Sequence, residues 1–259
     1  MTEKTAHSQI ETNARRYEPA AEHFEGRTIM VTGATGGIGR ALAIALVELG
    51  ATVILHGRNA RKLDGLHSEL LGRGPETTVA PLDLERAQGD DYIALSDAIE
   101  ERYGRLDGLV HNASVLGDRS PIAHYDIGLW QRVMHVNTTA PFILTRCLLP
   151  LLEAANDASI IATSSGVGNH ARAHWGAYCV SKFGLEALAG ILAEENENGT
   201  IRCNIVNPGR TKTSMRRKAY PGEDPDTLPE PTTVLAPFLF LLGSASRGIT
   251  GARIDVQDY

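Results

Sequence analysis

A chain of 259 residues, 42% apolar and 22% charged, can bury one large core without a disulfide or a structural metal. Its formal net charge of −6 argues against a nucleic-acid surface, which needs clustered Lys and Arg. Cys147, Cys179 and Cys203 form no CxxC pair, and neither the polar N-terminus nor the short apolar run VLAPFLFLLG gives a signal peptide or a bilayer span, so a cytoplasmic protein without membrane contact is expected.

Residues 1–26 read as a flexible or loosely docked arm, and 27–259 as one domain. RTIMVTG predicts a buried strand running into a turn, and GRALAIALVELG a helix stopped by Gly50. The strands ATVILHG and TTVAPLD follow, with the helix ARKLDGLHSELLG between them. DYIALSDAIEERYG is a helix and RLDGLVHNAS a fourth strand with its exit turn. IGLWQRVMHVNTTAPFILTRCLLPLLEAA reads as two helices or one long bent helix, with Pro141 where a second would start. DASIIATSS and TIRCNIVNPG are strands around the long helix GAYCVSKFGLEALAGILAEENENG. After a Pro- and charge-rich stretch, 208–231, come a last helix, TTVLAPFLFLLG, and a final strand, GARIDV. The strands are apolar throughout, as strands covered on both faces are. Their alternation with helices predicts a single-domain α/β fold of the Rossmann type, a doubly wound parallel sheet of about seven strands with helices on both faces.

The first strand ends in Thr32-Gly33-Ala34-Thr35-Gly36-Gly37-Ile38-Gly39, and a helix begins at once. Glycines let the backbone approach a pyrophosphate, and the helix N-terminus offers free N–H groups and a positive dipole end. Gly33, Thr35, Gly37, Ile38 and Gly39 are therefore candidate dinucleotide contacts. The second strand ends in Ile54-Leu55-His56-Gly57-Arg58-Asn59, with no Asp or Glu between Thr52 and Lys62. A carboxylate there would accept the ribose hydroxyls of NAD. Arg58 stands at the strand exit instead, where a guanidinium would bond the 2′-phosphate of NADP, with Arg40, Arg61 and Lys62 adding positive field. NADP is expected in preference to NAD.

Tyr178 and Lys182 lie four apart at the start of the long helix, on one face. Bringing a phenol with a pKa near 10 to neutral operation takes about 4 kcal/mol of differential stabilisation, part of which an adjacent ammonium supplies. Tyr178 would then be the general acid in reduction and the general base in oxidation. Ser165, at the end of the fifth strand, would hold the substrate oxygen against it. Asn137, on a predicted inner helix, would hold a water linking Lys182 to solvent. His170 and His174 lack a third ligand and read as polar residues of a substrate-side loop. Arg216-Arg217-Lys218 reads as a solvated face, with an acidic substrate as the lesser alternative.

The TGxxxGxG spacing, Asp83, Asn112-Ala113, Asn137, Ser165, Tyr178, Lys182 and Pro208-Gly209 with Thr213 make residues 27–256 resemble the short-chain dehydrogenase/reductase family. LDGLVHNASVLGD, HWGAYCVSKFG and NPGRTKTSMR are similar to a YciK-like subgroup. The resemblance implies hydride transfer between a nicotinamide dinucleotide and a small carbonyl or alcohol substrate. It implies that Pro208, Gly209, Thr211 and Thr213 meet the nicotinamide end, that Asp83 lies by the adenine, and that Asn59, Leu84, Asn112 and Ala113 also touch the cofactor. Lys182 would bond the nicotinamide ribose as well. One departure stands out: the usual NNAG reads His111-Asn112-Ala113-Ser114, so Ser114 replaces a glycine. The resemblance also implies a homodimer or homotetramer paired through the helices around 139–154 and 179–193. The rival class is a non-catalytic dinucleotide-binding redox sensor or scaffold, which would have lost the Tyr or the Lys. A dehydratase or epimerase of nucleotide sugars would be longer, with another glycine spacing.

Overall fold

The computed structural model describes residues 3–21 and 23–258. Seven strands, β1 (Thr28–Thr32), β2 (Thr52–Gly57), β3 (Thr78–Pro81), β4 (Gly108–His111), β5 (Ala158–Thr163), β6 (Ile201–Asn207) and β7 (Arg253–Asp255), form one parallel sheet in the order β3-β2-β1-β4-β5-β6-β7. Every residue of β1, β4, β5 and β6 is buried, which is why these segments carry no alternation.

Helices α2 (Gly37–Glu48), α3 (Ala60–Leu70) and α9 (Ala236–Leu242) cover one face, burying Leu42, Leu46, Leu63, Phe238 and Leu242. Helices α4 (Gly89–Tyr103), α6 (Ala140–Glu153) and α7 (Gly176–Glu195) cover the other, burying Tyr92, Leu144, Leu148, Leu185 and Leu192. By length and composition α7 is apolar enough to cross a membrane, but half of it is buried inside the protein. The chain between β4 and β5 runs α5 (Ile127–Met134), a π turn (His135–Thr139) and α6 without a break, so it is one continuous helix with Pro141 in the first turn of α6. The stretch 208–231 holds the short α8 (Ser214–Ala219).

The N-terminal segment departs from a loosely docked arm. Glu3–Arg15 is a helix, α1, packed against α9 and β7. Ala14 and Phe24 are fully buried, and the Tyr17 ring lies 5.4 Å from that of Phe240 in an edge contact. Arg15 Nε donates to the Asp255 carbonyl at 2.6 Å, and the Asp255 N–H donates to Glu11 Oε1 at 3.1 Å. The physical reason is α9 itself. Its run Pro237–Leu242 is buried on all sides, so the face turned from the sheet needs a cover, and α1 provides it.

β1 leads outward to β2 and β3 in one direction, and β4 starts the other half on the opposite side of β1. Such a switch point leaves a crevice at the carboxyl ends of the two central strands. The glycine turn and the exit of β4 meet there.

Candidate active site

The crevice is a cavity of about 400 Å³. At one end Gly33, Thr35, Gly37 and Ile38 line it, with Arg58 from the end of β2. The exit of β4 brings Asn112 and Ala113, and the segment after β6 brings Pro208, Gly209, Thr211 and Thr213. Ser165, Tyr178 and Lys182 line the same space. Fourteen separate sequence expectations thus meet in one place.

The glycine turn is fixed by its neighbours. Gly33 has φ +68°, and a Cβ on it would stand 3.0 Å from Ala113 Cα. Thr32 Oγ1 donates to the Val110 carbonyl at 3.0 Å and accepts from the N–H groups of Asn112 and Ala113. Asn112 Nδ2 donates to the Thr32 carbonyl at 2.9 Å, stapling β4 to β1. Gly36, before α2, gives no side-chain cap, and the first turn holds no acidic residue. The N–H groups of α2 are therefore available to an anion.

Five expected site residues stand outside the lining. Gly39 is a packing position: a Cβ there would fall 2.4 Å from both Asn112 Nδ2 and the Gly33 carbonyl. Asn59 Oδ1 caps α3 by accepting from Lys62 N–H at 3.0 Å. Asp83 Oδ1 accepts from Glu85 N–H at 3.2 Å, and Leu84 is buried in the core. Asn137 falls in the π turn, where its Nδ2 donates to the Val115 carbonyl at 2.9 Å and to Ser181 Oγ at 3.0 Å, while Oδ1 accepts from Val115 N–H at 2.8 Å. Both amide protons are spent, so the side chain braces the β4 exit loop against α7 instead of presenting a donor to a water.

Tyr178 and Lys182 project from the first turns of α7 and are buried. Lys182 Nζ donates to the Thr163 carbonyl at 2.8 Å and sits 5.6 Å from the centre of the Tyr178 ring. Burial pulls the ammonium down from its usual 10.5 to about 8, and Glu186, one turn further along α7, opposes the fall. β5 ends at Thr163, so Ser165 lies two residues beyond it. The Ser164 hydroxyl donates to Glu186, which leaves Ser165 as the serine whose hydroxyl has no partner among the described residues.

Glu186 and Arg253 escaped sequence reasoning. Arg253, in β7, donates from Nε to the Glu186 carboxylate at 3.2 Å and from Nη2 to the Ser165 carbonyl at 3.2 Å. This pair joins the serine loop to the helix that carries Tyr178 and Lys182. No short-range pattern links residues 67 apart in sequence. Trp175, Leu116, Met215 and Ala219 also line the cavity unannounced, and together they form an apolar wall at the Tyr178 end. The spacing of Trp175, one turn before Tyr178, was a usable signal.

Ser114 Oγ, Thr163 Oγ1, Thr211 Oγ1 and Trp175 Nε1 are buried without a partner in the chain, and all four residues line the cavity. Orphaned polar groups cost roughly 1–3 kcal/mol each unless a ligand or water satisfies them. A lining of orphaned donors and acceptors beside an uncapped helix fits a polar, phosphate-bearing ligand such as a dinucleotide.

The profile of the short chain dehydrogenase family matches residues 27–224. The uncharacterized oxidoreductase YciK of Escherichia coli K12 is 43% identical over 244 residues, 93% of this chain and 96% of that protein. A short chain dehydrogenase of Shigella flexneri 2a strain 301, solved in complex with NADP, superimposes with a TM-score of 0.90 at 41% identity, covering 92% of this chain and 100% of that one. One from Escherichia coli CFT073, solved with NADPH, gives 0.89 at 43% identity, covering 93% and 100%.

Proposed function

Because this chain belongs to the short chain dehydrogenase family of oxidoreductases, we propose that it transfers hydride between NADP(H) and a small carbonyl or alcohol substrate at the cavity between β1 and β4. The observation that carries this reading is the convergence of Ser165, Tyr178 and Lys182 on a cavity that begins at an uncapped helix N-terminus. The dinucleotide, when bound, supplies or accepts the hydride. Ser165 orients the substrate oxygen, and the Tyr178 phenol gives it a proton in reduction and takes one back in oxidation. The Lys182 ammonium, beside the phenol, favours its ionised form. A non-catalytic scaffold has no use for this set, and no observation favours one.

The preference for NADP rests on Arg58, which lines the cavity at the end of β2 and makes no ion pair among the described residues. The NADP and NADPH complexes of two relatives support it. We read the enzyme as cytoplasmic and as a homodimer or homotetramer. The exposed Phe142 of α6 and Val180, Phe183 and Ile191 of α7 give those helices an apolar outer face suited to pairing.

The test follows NADPH absorbance with a panel of small aldehydes and ketones. Wild type should consume NADPH with at least one of them. Tyr178→Phe should lose at least 1,000-fold in kcat while still binding NADP with near wild-type affinity. Substantial turnover in the variant would remove Tyr178 from its role.

A further inference from the structure

Resting on that reading, we propose that the substrate is an oxo acid, reduced to a hydroxy acid, whose carboxylate is bonded by Arg119 with Lys218 beside it. The apolar wall of the active site ends at Leu116 and Ala219, and both residues also line a second, adjoining cavity of about 650 Å³. That cavity carries Arg119, Lys218 and His174, against one carboxylate, Asp118.

Arg119 is a held cation. Its guanidinium lies 4.9 Å from the centre of the Trp175 ring and 4.8 Å from that of Tyr220, and the two rings are neighbours at 6.0 Å. Its Nη1 donates to the Ala219 carbonyl at 2.5 Å. A guanidinium has five N–H donors, and no other acceptor meets this one among the described residues. The remaining edge is free to bond a carboxylate in a bidentate way.

Two neighbouring cations are spent. Arg216 pairs with Glu223 through two bonds of 2.6 Å, and Lys212 pairs with Asp226 and Glu230. Arg172 donates to the Tyr220 hydroxyl at 3.3 Å. Arg119 and Lys218 make no ion pair among the described residues, and both line the second cavity. Arg119 and Lys218 set against Asp118 leave one net positive charge, which matches a single carboxylate better than a phosphate dianion.

The distance to the chemistry is one ring. The Trp175 ring lies 4.9 Å from the Arg119 guanidinium and 5.8 Å from the Tyr178 ring. A substrate whose carbonyl oxygen meets Tyr178 and Ser165 can therefore place a carboxylate at Arg119 across a short apolar spacer lying along Trp175, Leu116 and Ala219. The reduction balances with the groups named: the carbonyl carbon takes hydride from NADPH, its oxygen takes the Tyr178 proton, and the carboxylate is unchanged.

The probes are 4-oxobutanoate against butanal and 4-oxopentanoate against 2-pentanone, with the full chain, NADPH and low salt. The expected result is a kcat/KM at least tenfold higher for each oxo acid than for its uncharged analogue. Arg119→Ala should cut that ratio at least tenfold through KM, Arg119→Lys should recover part of it, and added salt should shrink it. An uncharged analogue reduced as well as its oxo acid, or an unchanged ratio in Arg119→Ala, overturns the proposal. Calorimetry of 4-oxopentanoate on the NADP-loaded protein decides it without turnover. Saturable binding that Arg119→Ala weakens tenfold supports the carboxylate site, and no binding, or equal binding by the variant, overturns it. Failure of hydride transfer itself shows separately, as no NADPH consumption with any carbonyl of the wider panel.

Discussion

The pair Lys182 and Glu186 makes the chemistry pH-dependent in a defined direction. Lys182 is protonated up to about pH 8 in the folded protein and to about 10.5 when exposed. Below pH 8 both states carry the proton and the burial cost is in full force. Between 8 and 10.5 the unfolded chain binds the extra proton, so stability rises with pH across that window. Thermal melts should show this rise in wild type and not in Lys182→Met. Catalysis runs the other way, because the ammonium is the active form. The kcat/KM for reduction should fall as pH rises through about 8, and Glu186→Gln should move the fall to lower pH, since Glu186 holds the charge on. An unmoved profile would reduce Glu186 to a packing role. Arg58 sets a second residue-scale expectation. Arg58→Asp should reverse an NADP preference of tenfold or more, read as the dissociation constants of both dinucleotides by calorimetry, through loss of a bidentate phosphate contact and repulsion of the 2′-phosphate.

Elements were legible where one local rule governed them. β1, β2, β5 and β6 are apolar runs closed by Gly, Asn or Ser, and the helices between them keep a 3.6-residue stripe. The site was legible where its residues share an element: Tyr178 and Lys182 on α7, and the glycines on the turn into α2. It was not legible where elements far apart in sequence close the contact, as with Arg253 of β7 and Glu186 of α7. Nor was α1 legible, because Ile10, Ala14 and Tyr17 are too sparse a stripe to announce docking; the signal lay in the all-round apolar α9. Removing residues 1–16 should expose that face and free the Asp255 backbone from Glu11 and Arg15. Gln257, two residues on, donates to the carbonyls of Pro208 and Arg210 at the cavity rim. The truncated chain should therefore melt about 5 °C lower or more, and bind NADP more weakly. A loss of melting temperature with cofactor affinity intact would uncouple α1 from the site.

At the scale of the molecule, the sheet order places the working residues at the carboxyl ends of the strands, between the two helical layers. The π turn at His135–Thr139 serves both a layer and the site, as α7 does. Each residue turns a helix by about 100°, so a single extra one lets two faces that an unbroken helix would misalign point where each is needed. Asn137 faces Val115 and Ser181, while Leu144 and Leu148 still face the sheet. A one-residue deletion anywhere in 135–139 would give back ordinary i→i+4 bonding and cost the alignment. Such a variant should keep its helical circular dichroism, lose at least a hundredfold in kcat, and regain activity only when a residue is put back at the same turn. The wide turn is thus a phase correction, one residue long, that keeps two incompatible angular registers true along a single rod.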